Sequence, residues 1–476
     1  MKIELKTDVG ILVSFLAVSL VLTACRASSG RESAAASGVR DPGVRAGAGA
    51  GGPLKNLTSD ESAFFQDGAS RFAQVEVVAG GANNGLRPRF NSNQCLSCHS
   101  HPAAGGTSPA QNPLIAIATL SGAKNTVPWF ITANGPVREA RFKKNPDGTN
   151  DGNVHALFVI TGRTDAPECN IAQFDFGPAG DALSGQGGNS NVIFRIPTPL
   201  FGAGLIESIP GSAILANMHA NASAKSDMGI SGHANAILSG NANLSGNDGT
   251  ITRFGWKAQN KSAIMFSGEA YNVEMGISNQ LFPQERDETP ECIYTPTPND
   301  TNNFTTTSTG AVNPAVLSDI EAFANFVRML APPAPAPDTP SSVSGRAAFE
   351  KAGCAQCHTP SFTTGTRIAS GSATAPSAAL SNQTVNLFSD LLVHHMGTGL
   401  ADRITQGSAG PDEFRTAPLW GVGQRVFFLH DGRTSNLVEA IEDHRSAGSE
   451  ANKVIERFNQ LSAQEQQDVI SFLRSL

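Results

Sequence analysis

The chain has 476 residues, 40% of them hydrophobic, and a formal net charge of −7. At roughly 100–200 residues per domain this length excludes one simple core and points to two domains. No lysine or arginine block stands out from the mildly acidic background, which excludes a nucleic-acid footprint and suits a partner with a basic face.

At the N-terminus an apolar run from Gly10 to Leu22, too short to span a bilayer, ends in Leu22-Thr23-Ala24-Cys25. This stretch resembles a bacterial lipobox. The resemblance implies that residues 1–24 are a lipoprotein signal peptide and that Cys25 carries lipid. It further implies a protein anchored in the bacterial cell envelope, facing the periplasm, with Arg26 favouring the outer membrane. Lys2 and Lys6 are offset by Glu4 and Asp8, so the usual positive leader is missing. A plain signal peptide or a buried apolar segment is the alternative. Residues 25–57 are rich in Ala, Gly, Ser and Arg, bury little surface, and read as a flexible tether.

A helix is expected at Ser62–Ala73, and a turn-rich loop from Asn84 to Asn91 leads into Cys95-Leu-Ser-Cys98-His99. The same pattern returns as Cys354-Ala-Gln-Cys357-His358. Two thiols three residues apart can add to the two vinyl groups of one porphyrin edge, and the adjacent histidine then ligates the iron. A thioredoxin-like pair or half of a zinc site leaves the second histidine unexplained. The sequence therefore implies two covalently bound haem c groups, with His99 and His358 as metal ligands. Of the seven cysteines, Cys169 and Cys292 then remain. In an oxidising compartment a disulfide between them is the economical reading, two separate buried thiols the alternative.

Up to about Phe282 the pattern is irregular, with short apolar runs such as Leu157–Thr161. The run from Asn299 to Gly310 reads as an exposed loop and Ile320–Leu330 as a helix. Residues 331–341 form a Pro-rich linker. Val343–Lys351 and Leu461–Leu476 read as helices. In the latter Leu461, Val469, Ile470, Phe472, Leu473 and Leu476 form one stripe, with Ser462 as N-cap and Glu465 three residues on. The expected fold is mainly α: two cytochrome-c-like haem domains, 58–330 and 342–476, the first enlarged by a loop-rich insertion with some short strands.

His430-Asp-Gly-Arg433 is followed by His444 fourteen residues after His430. Here the sequence resembles the bacterial di-haem cytochrome c peroxidases, which place an axial ligand at that spacing, and more closely the related di-haem oxidoreductases. The segments that carry this are Ser389–Gly397, Leu400–Asp402, Phe414–Gly421, Leu429–Arg433, Gly204–Pro210, Arg253–Gln259 and Glu274–Ser278. His395 departs from an aspartate usual in the family. The resemblance implies that His444 completes a bis-histidine second site, an electron store, with Met396 as the competing ligand. It also implies that Glu274, followed by Met275, moves protons over an open first haem. Peroxide must lose a proton from one oxygen and gain one on the leaving oxygen, which a partly desolvated carboxylate can do. The glutamine that accompanies this glutamate in the peroxidases is replaced by Ile264. A structural carboxylate paired with Arg253 or Arg286 is the other reading of Glu274.

No distal histidine is evident for the first haem. His101 lies too near His99, and His155 sits in a strand-like run. Trp256 and Trp420 are candidates for relaying electrons or for core packing, and Arg253, Arg415 and Arg433 for holding haem propionates. The resembling enzymes also hold one calcium ion, for which no linear motif is available. The resemblance implies peroxide reduction at the N-terminal haem, with electrons from a small redox protein or quinol-linked donor passing through the C-terminal haem. Two alternatives are a pure electron-transfer cytochrome and a di-haem oxidase of an organic or protein substrate. A distal ligand on the first haem favours the former, a deep apolar pocket above it the latter.

Overall fold

The computed structural model describes residues 38–46, 49–81, 83–120, 122, 127–159, 161–177, 191–236, 251–287, 289–303, 314–372 and 374–476. Val39–Leu476 form one compact unit. The architecture is mixed rather than mainly α, with helices accompanied by four small antiparallel sheets among the described residues. Short apolar runs such as Phe158–Val159 pair across strands instead of joining a helix. No described helix is long and apolar enough to cross a membrane.

One three-part arrangement occurs twice. The helix Ser59–Phe72 starts at a capping box between Thr58 and Glu61 and packs on the helix Asp319–Met329. A Cβ on Gly68 would lie 2.2 Å from the Ala322 carbonyl, so only glycine permits this approach. The helix Pro340–Ala352 packs in the same way on Ala463–Ser475, where a Cβ on Gly345 would lie 1.9 Å from the Asp468 carbonyl. Each leading helix carries in its last turn a phenylalanine set edge-on or tilted against the histidine of the motif that follows. Phe72 and His99 have ring centroids 6.1 Å apart, as do Phe349 and His358. The closing helix has the expected cap, with Ser462 Oγ accepting from Glu465 N at 3.2 Å.

Ala263–Met275 is a helix where an irregular segment is expected, because AIMFSGEAYNVEM carries apolar residues on all sides and has no stripe. Ser262 caps its start, and Glu207 accepts from Ala263 N at 2.9 Å. Beside it lies a three-stranded sheet in the order Val154–His155, Glu139–Phe142, Val192–Arg195, with Glu139 opposite Arg195.

Residues 39–46 and 49–54, expected to belong to a tether, are bonded to both halves. Asp41 pairs with Arg474 at 2.7 Å and accepts from Leu437 N, and Leu54 N donates to Met329 O. The backbone supplies the partners that the small side chains lack. The Pro-rich segment is likewise extended but bonded, Ala331 to Gly52 and Ala336 to Ser475.

The sheet and the C-terminal half meet at Asp402. Its carboxylate accepts from Arg195 Nη2 at 2.6 Å and lies 3.1 Å from Lys257 Nζ, with all three side chains at most 2% exposed. Removing one partner from such a group leaves buried charges uncompensated. The variant Asp402→Ala should therefore lose about 3–5 kcal/mol of stability in denaturant unfolding at neutral pH.

Candidate functional site

Two large cavities hold the two motifs. The first, about 170 Å³, is lined by Cys95, Cys98 and His99 on one side and by the Ala263–Met275 helix on the other. The second, about 210 Å³, is lined by Cys354, Cys357, His358 and His444. The three histidines share one arrangement. Nδ1 of His99 faces Gly106 O at 2.9 Å, that of His358 faces Phe388 O at 2.9 Å, and that of His444 faces Ala440 O at 2.6 Å. A proton on Nδ1 donates to each carbonyl and leaves Nε2 as a lone-pair donor, the state a metal-ligating imidazole needs. Burial depresses the pKa of His99 and His358 to about 4, which keeps both rings neutral. Met396 also lines the second cavity. Among the described residues lining the first, His99 is the only histidine.

Glu274 lines the first cavity with His99, and its Oε2 accepts from Asn91 Nδ2 at 2.7 Å. Asn91 is itself fixed, its backbone N donating to Glu274 O and its Oδ1 accepting from Leu157 N. Neither arginine considered as a partner for Glu274 bonds its carboxyl. Arg286 donates to the carbonyls of Val273 and Val154, and Arg253 to those of Ile206 and Ile209. Its partner is Glu139, which also lines the cavity. Burial, then the charge of Glu139 and the hydrogen bond to it, raise the pKa of Glu274 well above the carboxylate range. Burial would raise Glu139 too, but Arg141 at 2.7 Å, the bond from Glu274 and nearby Arg195 outweigh it and lower its pKa.

Trp256 lines both cavities and the smaller space between them, its Nε1 donating to Ile196 O at 2.9 Å. Trp420 lines only that smaller space. Arg415 lines the second cavity with Arg425, and both guanidiniums bond backbone carbonyls, of Gly255 and Pro418. Burial pulls both down to about 10, Arg425 adding to the effect on Arg415. A pair of buried cations bonded to carbonyls alone fits the propionates of a haem. With the paired thiols and free imidazole nitrogens, the residues present could hold that group.

Arg253 and Arg433, also expected in the propionate set, line neither of these two cavities: Arg253 donates to the carbonyls of Ile206 and Ile209 at the end of the helix Ala203–Ser208, and Arg433 is held by Asp431 at 2.7 Å and by Gly399 O. His155 is a packed histidine, stacked on Phe142 and paired with Asp151 at 2.8 Å; His101 bonds Gln424 O. Cys169 and Cys292 are joined, with Sγ–Sγ 2.14 Å. Cys25 lies outside the described residues. The sequence reading missed Glu139, Arg141 and Arg425. In Arg138-Glu-Ala-Arg-Phe142 the i, i+2 spacing of Glu139 and Arg141 was the available signal, since on a strand it puts both on one face.

Cys357, Asp390 and His394 bring donor atoms within 4.8 Å of one another. Both His394 nitrogens are already engaged, Nδ1 with Glu450 at 2.7 Å and Nε2 with Asp390 at 3.0 Å, so the ring has no nitrogen left for a metal. Burial would lower the pKa of His394, but the Cys357 sulfur and Asp390 raise it well above 6.5. Burial would raise that of Glu450, but the bond and charge of His394 bring it down from 4.5 to about 2.

A model of the family described as "Di-haem oxidoreductase, putative peroxidase" matches residues 186–476. No curated protein matches the chain. Among solved structures, hydrazine synthase of Kuenenia stuttgartiensis, pressurised with xenon, is 21% identical over 33% of this chain and 55% of that one, with a TM-score of 0.21. A MauG-like protein associated with microbial copper homeostasis is 20% identical over 33% and 52%, TM-score 0.21. The diheme peroxidase BthA of Burkholderia thailandensis is 16% identical over 47% and 65%, TM-score 0.26. The chain thus spans between half and two thirds of these relatives.

The His394–Glu450 pair generates a stability prediction with a defined window. Glu450 contributes fully above its unfolded pKa of 4.5 and loses that as pH falls through about 2. His394 contributes fully below 6.5 and loses it as pH rises through its raised folded value. The stability lost on His394→Gln, measured by urea unfolding, should be largest between pH 4.5 and 6.5 and shrink on either side.

Proposed function

Because the chain belongs to the di-haem oxidoreductase family and is a peroxidase-like enzyme that takes haem, we propose that it reduces hydrogen peroxide in the cavity shared by His99 and Glu274. Electrons are drawn through the cavity shared by His358 and His444. The observation that carries this reading is the contrast between the cavities. His358 has His444 in its cavity, with Nδ1 engaged by the Ala440 carbonyl, whereas His99 is the only histidine among the described residues lining its own and shares it with the Glu274 carboxyl group. Cys95, Cys98 and His99 would hold one haem, and Cys354, Cys357, His358 and His444 the other, in two cytochrome-c-like domains. The repeated helix pair supports that division. When bound, haem supplies iron that exchanges single electrons.

Converting one peroxide to two waters consumes two protons with the two electrons. Glu274 holds a proton at the carboxyl group that Asn91 orients, and delivers it to the leaving oxygen. The raised pKa favours the form that carries that proton. Trp256, with a wall in each cavity, offers the covalent path between them. Arg415 and Arg425 neutralise carboxylates that enter the second cavity. The electron donor is a small redox protein or a quinol-linked carrier. The same reading anchors the protein through Cys25 to the bacterial envelope, facing the periplasm, on the strength of the apolar run that ends there.

Two measurements test this. Glu274→Gln should lower kcat/KM for hydrogen peroxide by about 10²–10⁴-fold. Wild-type turnover should fall as pH rises through the raised pKa of Glu274, since the acid form is the one required. Wild-type turnover in the variant would remove Glu274 from the reaction, and a reduced protein that binds carbon monoxide at neither iron would sink the whole reading. Separately, His444→Gly should convert one low-spin electron paramagnetic resonance signal to high spin. An unchanged spectrum would take His444 off the iron.

A further inference from the structure

Glu139 and Glu274 reach the first cavity from different elements, a strand and a helix, and their carboxyl groups lie close enough for each to bear on the ionisation of the other. Two ionised carboxylates are acceptors only and repel, so one proton held between them relieves the repulsion. The surroundings decide where that proton sits. Glu139 has Arg141 at 2.7 Å on its own strand and Arg195 opposite it on the next, both favouring its charged form. Glu274 has the neutral amide of Asn91. Three other charged groups face the pair. Glu269, earlier on the helix, accepts from Asn260; Arg286 holds the carbonyls of Val273 and Val154, and its charge favours the ionised form of both glutamates; Asp151 pairs with His155 on the strand Val154–His155.

We propose that Glu139 and Glu274 form a carboxylate–carboxylic acid pair sharing one proton, in which Glu139 is a positioning residue that keeps Glu274 in its acid form and aims it into the cavity. This deepens the peroxide reading and rests on it for its purpose, though not for its geometry. The proton step is self-consistent. The O–H bond of Glu274 breaks as the leaving oxygen gains that proton, and the pair is left as two carboxylates in contact. Their repulsion makes recapture of one proton from solvent favourable, which resets the pair. A lone buried carboxylic acid has no such restoring force. Arg141 has a distinct part here, since its charge holds Glu139 ionised and prevents the pair from taking up a second proton.

The test is a pH titration of the holoprotein by infrared difference spectroscopy, following the protonated-carboxyl stretch that Glu274→Gln abolishes. In the wild type that band should be present at neutral pH. Glu139→Gln removes the neighbouring charge, so the band should vanish at a lower pH, and the alkaline limb of peroxide turnover should move with it. Arg141→Gln removes the cation that keeps Glu139 ionised, so the shift should have the opposite sign. A merely structural role for Glu139 would change stability without moving either curve. An unshifted band in Glu139→Gln, shifts of the same sign in both variants, or a band that survives Glu274→Gln would each overturn the pairing. Should Glu139→Gln fail to fold, the direction seen in Arg141→Gln decides alone. If the shifts appear but the wild type does not turn over peroxide, the pair stands and the peroxide reading falls.

Discussion

One buried carboxylate, Asp402, sets the relation between everything else in the site. It pairs with Arg195 from the sheet and with Lys257 from the loop that carries Trp256. Burying an ion costs several kcal/mol after relaxation, so neither cation can sit where it does without this partner. Arg195 lies opposite Glu139 in the strand register, and Lys257 follows Trp256 directly in the chain. The position of the proton-bearing pair and the position of the indole between the cavities therefore descend from the same contact. Lys257 adds two carbonyl acceptors, Gly410 O and Glu413 O, each at 2.8 Å, and lies 4.2 Å from the centroid of the Phe414 ring. Phe414 in turn stacks on His430 at 4.2 Å, so this one ion network reaches the wall of the second cavity.

Around this contact the scaffold is nearly symmetric while the chemistry is not. Each half builds a helix pair through a glycine against a carbonyl, and each places a phenylalanine against the histidine of its motif. The difference enters through what faces that histidine. In the N-terminal half the facing surface is a helix of mixed polarity with Glu269, Tyr271 and Glu274 on the cavity side. In the C-terminal half it includes the short helix Leu437–Glu442, whose end delivers His444. Asp41 accepts the first amide of that helix and pairs with Arg474, so the N-terminal segment helps hold His444 in place.

Much of this was legible from residue types with a single chemical use. Cys95, Cys98 and His99, and their counterparts at 354–358, define the two sites because no other role uses all three residues at that spacing. The helices with stripes and caps, such as Ala463–Ser475, were equally legible. The Ala263–Met275 helix was not, because a segment buried on most of its circumference has no periodicity to read. Arginine roles failed for a related reason. Arg253, Arg415, Arg425 and Arg433 look alike in sequence, and only the fold shows that Arg433 is claimed by Asp431 two residues away while Arg425 points its charge into the cavity wall. Glu139 was missed because its role depends on a residue 135 positions later in the chain.

The charge distribution separates the two kinds of particle that the reaction needs. Cations bonded only to carbonyls, Arg415 and Arg425, border the second cavity, where an added electron is stabilised by nearby positive charge in a low-dielectric interior. The first cavity instead has Glu139 and Glu274, whose mutual repulsion stabilises an added proton. Trp256 lies along the boundary, its indole N–H donating to the Ile196 carbonyl, and as a neutral side chain it adds no formal charge to either side. In the proposed reaction an electron is held on one side of the indole and a proton on the other, and the two meet where a substrate in the first cavity accepts both.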